Sequence, residues 1–385
     1  MTNTVEIHGY CDQRFSAVKE AFSRNFESGE DIGASFAATI DGEFVVDIWG
    51  GYADAAQTRP WERDTIVNVY STTKAMTALC ALMLVDRGLL DLDAPVAKYW
   101  PEFARAGKEK LPVRYLLSHQ SGLAGFDEPM PVEALYDWNR IVNLLAAQKP
   151  WWEPGKQSGY HSLTFGYLVG EVVRRITNRT LGTFFRKEVA IPLKADFHIG
   201  LPEEYDSRVG EMVPPPIPKP GDPDYIYIAP DSIPGKVLGN PNPALMAEHS
   251  RDRAWRAAEI PAANGHGNAR SVARVAAALA CGGELDGVRL LTLPTIEKAI
   301  EEQCYGPDLV LTIPIRWGLG YGLNSKEFPI SRNPRTFFWG GWGGSVIVVD
   351  LDAKLSWAYV MNKMRAGLTG DTRSAGLAAA LYAAL

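Results

Sequence analysis

Two places in the chain carry a serine followed three residues later by a lysine: Ser16 with Lys19, and Ser71 with Lys74. On a helix, residues three apart lie on one face, so either pair could bring a hydroxyl close to an amine. At a helix start, the serine's free N–H and the positive end of the dipole stabilise a developing oxyanion. The same field, with burial, lowers the pKa of the lysine towards that of a usable base. The spacing is therefore typical of nucleophilic serine chemistry.

Sequence context separates the two pairs. Ser16 and Lys19 fall inside a predicted N-terminal helix, on a stretch with the composition of a solvated surface, so we interpret that copy as chance. Ser71 follows a strand-like run at 66–70 and opens a strongly apolar helix predicted over 72–87, with Gly88 as its left-handed stop. Taken alone, Ser71 as a simple N-cap would still be the better interpretation.

A second serine mechanism needs Gly-x-Ser-x-Gly, which bends the chain sharply at the nucleophile. The nearest match is the segment 33–37, around Ser35. It lacks the second glycine and lies in a predicted strand, so this mechanism is disfavoured.

Two further segments favour a catalytic role for Ser71 and Lys74 over the N-cap interpretation. Tyr160 and Ser162 precede a predicted helix, and the glycine-rich segment 339–345 lies between two predicted strands. Three segments resemble, in their order and spacing, the three motifs of the serine β-lactamase and penicillin-binding superfamily. They are Ser71 with Lys74, Tyr160-x-Ser162, and the Trp-Gly-Gly at 339–341. Within this superfamily, the chain most resembles the family VIII carboxylesterases, which are similar to class C β-lactamases. Segments 116–123 and 264–271 are also similar to that group, and the resemblance runs from about residue 10 to the C-terminus.

The resemblance implies a role for each motif. Ser71 would attack the acyl carbonyl, and Lys74 and Tyr160 would share the base role, without the sequence saying which is the general base, since coupled groups titrate as a unit. The oxyanion hole would be the backbone N–H groups of Ser71 and Trp342. The alternatives are that Tyr160 is an amphipathic packing residue and that the nearby glycines only shape a bulged hairpin.

Departures from the lactamase motifs bear on the substrate. Trp339 stands where those enzymes usually carry a lysine that binds a carboxylate, and Ser162 stands where an asparagine contacts an amide. Both changes favour neutral esters, with Trp339, Gly340, Gly341 and Ser162 as substrate-binding residues. The alternative for Ser162, which we favour, is the N-cap of the following helix.

Three other residues near these motifs are polar or aromatic: Phe126, His119 and His161. Phe126 lines the acyl pocket in one interpretation and packs in the core in the other, with equal support. His119 and His161 are expected to be structural hydrogen-bonding residues, because this mechanism needs no histidine.

The elements that must position these residues predict an α/β fold of the α+β type. It has an antiparallel sheet flanked by N- and C-terminal helices, plus an inserted, mainly helical domain. We expect residues 1–70 and 285–385 to form the first domain, 71–284 the second, and the active site to lie between them. Helices are predicted at 10–27, 72–87, 113–118, 132–148, 163–177, 272–281 and 371–385; strands are predicted at 35–40, 43–50, 317–324, 336–339, 345–350 and 355–361. Asp41-Gly42 and Asp352-Ala353 mark hairpin turns, and Asp371 is the expected N-cap of the last helix.

Residues 213–243 hold ten of the 26 prolines. Such a segment should be neither helix nor central strand, and it is too long for a simple connector. It is equally consistent with a lid over the pocket and with an excursion over the surface.

Composition narrows the class of protein. The net charge of −6 and the lack of a basic run exclude nucleic acid as the expected partner. The six histidines and four scattered cysteines lack metal-ligand spacing, so we expect neither metal nor cofactor. The N-terminus has no signal-peptide character and no stretch approaches about 18 apolar residues, so a cytoplasmic protein with reduced thiols is predicted.

Three functions remain. The first is a carboxylesterase that cleaves neutral esters of short to medium acyl chains through an acyl-Ser71 intermediate. The second keeps that intermediate and changes the substrate, as in a β-lactamase, a D-aminopeptidase or an acyltransferase. The third is an inactive relative that serves as a binding or scaffold protein, which the intact Ser71, Lys74 and Tyr160 disfavour. The oligomeric state is not predicted.

Overall fold

A nine-stranded antiparallel sheet organises the molecule. The computed structural model describes residues 5–216, 219, 221 and 227–385. The strands are β1 (Ile7–Cys11), β2 (Gly33–Ile40), β3 (Glu43–Gly51), β4 (Val67–Asn68), β5 (His266–Gly267), β6 (Glu284–Leu285), β7 (Val288–Arg289), β8 (Cys304–Pro307), β9 (Pro314–Trp317), β10 (Gly322–Leu323), β11 (Thr336–Gly340), β12 (Val346–Asp350) and β13 (Leu355–Met361). The main sheet has the order β1-β3-β2-β13-β12-β11-β10-β9-β8, while β4 pairs with β5 and β6 pairs with β7.

Both ends of the chain contribute to the centre of this sheet. The N-terminal strand β2 pairs with the C-terminal strand β13, from Leu355 opposite Ile40 to Met361 opposite Ala34. The predicted hairpin between β2 and β3 is confirmed, with Asp41 and Gly42 at φ 48° and 87°, the left-handed region that such a turn requires. The antiparallel sheet built from both ends is thus as expected.

Helices cover both faces of the sheet. They are α1 (Ser16–Glu27), α2 (Thr73–Asp86), α3 (Arg114–Leu117), α4 (Trp138–Ala147), α5 (Thr164–Thr177), α6 (Leu181–Phe185), α7 (Ile191–Leu193), α8 (Ile233–Leu238), α9 (Pro243–His249), α10 (Arg253–Ala257), α11 (Ala269–Ala280), α12 (Leu293–Ala299) and α13 (Thr372–Ala383). Successive residues of β13 point to opposite faces. Ser356 donates a hydrogen bond to the carbonyl of Ala273 on α11, while Trp357 lines a cavity together with Ala375 and Ala378 of α13.

The helix that follows Ser71 lies in the interior. Every residue of α2 from Thr73 to Leu84 is buried, and the helix is apolar on all sides, as expected of one with no solvent face. It packs against α5, α6 and α12. The predicted stop is confirmed, because Gly88 follows with φ 67°.

Some predicted boundaries are wrong. The helix expected over 10–27 begins at Ser16, because residues 7–11 pair with β3 as strand β1. The strand expected over 317–324 is the end of β9, a turn and the short β10, because Gly320 adopts φ 86° and breaks the run. The N-cap at Asp371 is confirmed, since its side chain accepts from the N–H of Arg373.

The proline-rich segment 213–243 departs from expectation in its second half. Residues 217, 218, 220 and 222–226 lie outside the described residues. Beyond them, α8 is helical and α9 begins at Pro243, so the expectation of no helix is wrong. Pro234 and Pro243 lie in the first turn of their helices, where proline's missing N–H has no partner to lose.

The division into two domains stays a prediction. The packing of α11 bears on its second boundary, at residue 284. Helix α11 contacts β2, β12 and β13, so this part of the segment 71–284 packs with the sheet. Within the ranges that the structure describes, no helix is long and apolar enough to cross a membrane.

Candidate active site

The chain turns sharply just before α2 and presents Ser71 there. Tyr70 has φ 44°, a left-handed conformation that is uncommon for a large side chain and is found where surrounding structure fixes it. The N–H groups of Thr73 and Lys74 bond back to the carbonyls of Tyr70 and Ser71, so Ser71 belongs to the first helical turn. Among the described residues the N–H of Ser71 donates to no acceptor, which leaves it available to a ligand.

Lys74 is buried, with 1% of its surface exposed. Its Nζ lies 2.9 Å from Ser71 Oγ, 2.6 Å from the carbonyl oxygen of Ser162 and 2.9 Å from that of Ala262. Burial holds its pKa well below the usual value. A neutral amine has two N–H donors, which the two carbonyls accept, and a lone pair, which is left for the Ser71 hydroxyl.

Tyr160 is the third residue of the expected catalytic set, and its ring packs against the Lys74 amine. Its ring centre is 4.8 Å from Lys74 Nζ, and Trp339 Nε1 lies 3.3 Å from its hydroxyl oxygen. Burial raises the pKa of the Tyr160 phenol well above its usual value, and hydrogen bonds to Ser71 and Trp339 act in the opposite direction. The phenol is therefore protonated at neutral pH.

The end of β11 approaches the Ser71 turn closely. A Cβ at Gly341 would come 2.1 Å from the carbonyl oxygen of Val69 and 3.1 Å from the nitrogen of Ser71, so no side chain fits there. Ser345 Oγ donates to the same carbonyl of Val69 and contacts Thr72 Oγ1 at 2.9 Å. The N–H of Trp342 donates to no acceptor among the described residues, which makes it a second free donor beside that of Ser71.

A cavity of about 210 Å³ opens beside Ser71. Its walls are mostly apolar and come from the Ser71 turn, the Tyr160 loop, α8, α9 and the segments around 342 and 367. They are Tyr70, Ser71, Tyr160, Ser162, Leu163, Val237, Leu238, Pro243, Met246, Ala263, Trp342, Ala366 and Leu368. None of these described lining residues is a lysine or an arginine.

Of the residues expected to bind substrate, Ser162 lines the cavity and Trp339 does not. Ser162 lines the cavity, and Thr164 begins α5 with Leu163 as its N-cap and no side-chain cap, so the N-cap interpretation of Ser162 is wrong. Trp339 is buried against Tyr160 and Trp317, and it is Trp342 that lines the cavity.

The other expected contacts lie further from the opening. Gly340 packs against Thr369, and Gly341 packs against Val69, so both form the backbone wall next to the turn. Phe126 is 2% exposed in the main core and is not among the lining residues, which favours its packing role over an acyl-pocket role.

Both histidines near the site make internal hydrogen bonds. His161 bonds to Ser121 Oγ through Nε2 and to the Gly159 carbonyl through Nδ1, and its N–H donates to His119 Nδ1. Burial lowers the pKa of His161 to about 3 and that of His119 well below its usual value. Both are neutral, in agreement with a structural role.

Sequence reasoning missed several contributions to the site, of which backbone carbonyls and helix α8 are examples. The carbonyl of Ala262 holds Lys74, a contact made by backbone that no residue type announces. Val237 and Leu238 of α8 line the cavity. The only indication of this in the sequence was the interpretation of the proline-rich segment as a lid. The rejected pair is exposed on α1, since Ser16 and Lys19 both face solvent.

The fold and the site define a class, the serine hydrolases that have a lysine rather than a histidine beside the nucleophile. The chain belongs to the Beta-lactamase family, which it matches over residues 22–381. The sheet flanked by helices is accordingly a β-lactamase/transpeptidase-like fold.

Three relatives show where the chain falls within this family. The crystal structure of a family VIII carboxylesterase is 43% identical, with a TM-score of 0.91 over 99% of this chain and 100% of that one. A penicillin-binding protein homologue from Caulobacter crescentus is 42% identical, with a TM-score of 0.92 over the same shares. The esterase/beta-lactamase LipL of Mycobacterium tuberculosis is 35% identical over 93% of this chain and 83% of its own length.

Proposed function

We propose that the protein is a carboxylesterase that hydrolyses neutral carboxylic esters through an acyl-Ser71 intermediate. The observation that carries the proposal is the 2.9 Å contact between Ser71 Oγ and the buried Lys74 amine, whose pKa is held low by burial. The similarity to a family VIII carboxylesterase over nearly the whole chain supports it.

In acylation, neutral Lys74 takes the Ser71 proton while Oγ bonds to the ester carbonyl carbon. The N–H groups of Ser71 and Trp342 bind the resulting oxyanion. As the carbon–oxygen bond to the alcohol breaks, the Tyr160 hydroxyl donates a proton to the leaving oxygen and regains one from Lys74. The products of this half-reaction are the acyl-enzyme and the free alcohol.

In deacylation, water replaces Ser71 as the nucleophile, and Lys74 is again the base. Lys74 accepts the proton of the attacking water, and the proton returns to Ser71 Oγ when the acyl bond breaks. Of the two bases left open by the sequence, the proposal assigns Lys74, because burial favours its neutral form and also favours the neutral form of Tyr160.

The cavity favours small neutral esters. Its volume of about 210 Å³ is below the ~300–1,000 Å³ of most small-molecule pockets. Apolar walls from Val237, Leu238, Met246 and Leu368 suit an acyl or alkyl chain. Since no described lining residue is cationic, an anionic substrate would enter without a counter-charge.

β-Lactams are the second candidate substrate. The name of LipL, an esterase/beta-lactamase, favours this activity in a relative that is 35% identical. The same acyl-Ser71 chemistry would open a lactam ring, but the ring's carboxylate would face the apolar cavity. We therefore propose the lactam activity as secondary to ester hydrolysis.

We also propose a cytoplasmic location. Its support is that Cys11, Cys80, Cys281 and Cys304 are all free thiols, as a reducing compartment maintains them.

The test of the proposal is covalent labelling with a fluorophosphonate, followed by peptide mass spectrometry, alongside turnover of p-nitrophenyl butyrate. We expect the label on the Ser71 peptide and loss of both label and turnover in Ser71→Ala. Ser16→Ala removes the serine of the exposed pair and should change neither. Unchanged turnover in Ser71→Ala, or a label on another peptide, would contradict the proposal. A higher kcat/KM for a chromogenic cephalosporin than for the ester would reverse the order of the two substrates.

A further inference from the structure

Asp308 is a carboxylate buried behind the active site. It is 1% exposed and follows directly after β8. Within the described part of the chain, no lysine, arginine or histidine forms an ion pair with it. A buried carboxylate without a cation is unfavourable unless hydrogen bonds satisfy both of its oxygens.

Five donors supply those bonds. Asp308 Oδ1 accepts from the backbone N–H groups of Val310 and Leu311, both at 3.0 Å, which closes its own turn. The same oxygen accepts from the backbone N–H of Tyr160 at 2.9 Å, although Tyr160 is 148 residues away in sequence. Oδ2 accepts from Ser158 Oγ at 2.8 Å and lies 3.4 Å from Trp317 Nε1.

The cross-chain bonds fix a segment that has no regular structure of its own. Residues 157–160 belong to no helix or strand, and α5 begins only at Thr164. Leu309 adds a backbone bond to the carbonyl of Ser158, at 2.9 Å. The main chain of Tyr160 is therefore held by the Asp308 turn, while Trp339 contacts its phenol at the other end.

The charge of Asp308 also affects Tyr160, because it raises the pKa of the phenol. Lys74 and His119 lie against the Tyr160 ring, and Asp308 accepts from its main chain. Burial lowers the pKa of Lys74 and that of His119 well below their usual values. After the larger effect of burial, the negative charge of Asp308 further raises the pKa of Tyr160. This effect has the same sign as that of burial, which already keeps the phenol protonated at neutral pH, as a proton donor must be.

We propose that Asp308 is a positioning residue for catalysis, which acts through Tyr160 by fixing its main chain and keeping its hydroxyl directed at the Ser71–Lys74 pair. The inference rests on the proposed function, because it assumes that Tyr160 donates a proton to the leaving group.

The test is a double-mutant cycle of Asp308→Asn and Tyr160→Phe. The amide keeps the size of the side chain and one acceptor oxygen, but loses the charge and the acceptor for Ser158. We expect Asp308→Asn to lower kcat for p-nitrophenyl butyrate about tenfold to a hundredfold, with KM changed less than about threefold. In Tyr160→Phe the same change should lower kcat less than about threefold, because the hydroxyl through which it acts is already gone.

Asp350 offers a matched control. It is also buried, and it accepts from the N–H groups of Asp352 and Ala353, from Asn333 Nδ2 and from Tyr382 Oη, none of which touches Tyr160. Asp350→Asn should leave kcat within about threefold of wild type. An equal loss from Asp350→Asn, or equal effects of Asp308→Asn with and without the Tyr160 hydroxyl, would overturn the proposal.

A second variant covers the case in which Asp308→Asn does not fold. Ser158→Ala removes one cross-chain bond and leaves the carboxylate in place. It should lower kcat about twofold to tenfold in wild type and have no effect in Tyr160→Phe, and additive effects would again overturn the role of Asp308. Ser71→Ala separates the two proposals. If it retains turnover, the proposed function is wrong and the role of Asp308 falls with it; if it is inactive while the cycle is additive, only the role of Asp308 is wrong.

Discussion

At the scale of single residues, the site depends on a lysine placed where a charge is unfavourable. Lys74 lies in the interior with two backbone carbonyls and one hydroxyl as its polar neighbours, and no carboxylate forms an ion pair with it among the described residues. Burial, which would be unfavourable for a structural lysine, lowers the pKa of this amine well below its usual value, as the proposed base role requires. The second Ser-x-x-Lys pair, Ser16 and Lys19 on α1, is exposed and lacks that burial.

Lys74 should leave a signature in the pH dependence of stability. The folded chain holds the amine neutral well below the ordinary value of 10.5, whereas the unfolded chain keeps its proton up to that pH. Between the two values the unfolded state binds one more proton, so folding becomes more favourable as pH rises, by about 1.4 kcal/mol per pH unit. We expect the slope in wild type to exceed that in Lys74→Met by about this amount, measured by urea unfolding between about pH 7.5 and pH 9.5.

Lys19→Met is the matched control, because it removes the exposed lysine of the other pair. It should keep the wild-type slope. Equal slopes for wild type and Lys74→Met would mean that the buried amine is charged in the folded protein, which would contradict its role as the base.

Contacts between residues close in sequence could be predicted, whereas contacts between distant residues could not. Ser71 and Lys74 are separated by three positions, so helix geometry alone brings them together. The contact of Trp339 with Tyr160 spans 179 residues and depends on where β11 lies in the sheet, so the sequence analysis placed Trp339 in the pocket wall instead of Trp342. The anchor at Asp308 was missed for the same reason.

At the scale of elements, α8 and α9 form one wall of the cavity. Val237 packs against Trp339 and Tyr160, and Leu238 lines the cavity beside it. Proline counts alone predicted an irregular segment here, because a count ignores position: Pro234 and Pro243 both stand in first turns, where helices accept proline. By contrast, the apolar run that ends at Gly88 placed α2 within one residue at each end, and the helix predicted over 163–177 matches α5 within one residue.

The size of Leu238 should set the preferred chain length of the substrate. Leu238→Ala enlarges the cavity, so we expect the optimum in a series of p-nitrophenyl esters to move to longer acyl chains. Each added methylene that becomes buried should raise kcat/KM about fourfold, since it is worth about 0.8 kcal/mol. Leu245→Ala on α9 is the control, because Leu245 is 46% exposed and does not line the cavity. An unchanged optimum in Leu238→Ala would remove α8 from the substrate-binding wall.

At the scale of the whole molecule, the two ends of the chain are joined beside the active site. Arg373 at the start of α13 is 2% exposed and donates to Asp31 Oδ1 at 2.9 Å and to Asp371 Oδ2 at 2.6 Å. It also donates to the carbonyl of Gly343 at 2.7 Å, one residue beyond Trp342. One buried guanidinium therefore ties the segment before β2, the last helix and the turn that supplies the proposed oxyanion donor.

Loss of this guanidinium should destabilise the fold far more than loss of an exposed one. Arg373→Leu leaves the buried Asp31 and the partly buried Asp371 without their cation, and we expect the free energy of unfolding to fall by about 3–5 kcal/mol. Arg365→Leu is the matched control, because Arg365 pairs with Glu30 at the surface, about one third exposed, and should lower it by less than about 1 kcal/mol. Urea unfolding at pH 7 compares the two variants. Similar losses would show that burial does not distinguish these pairs and that the join between the ends depends on the β2–β13 strand pairing instead.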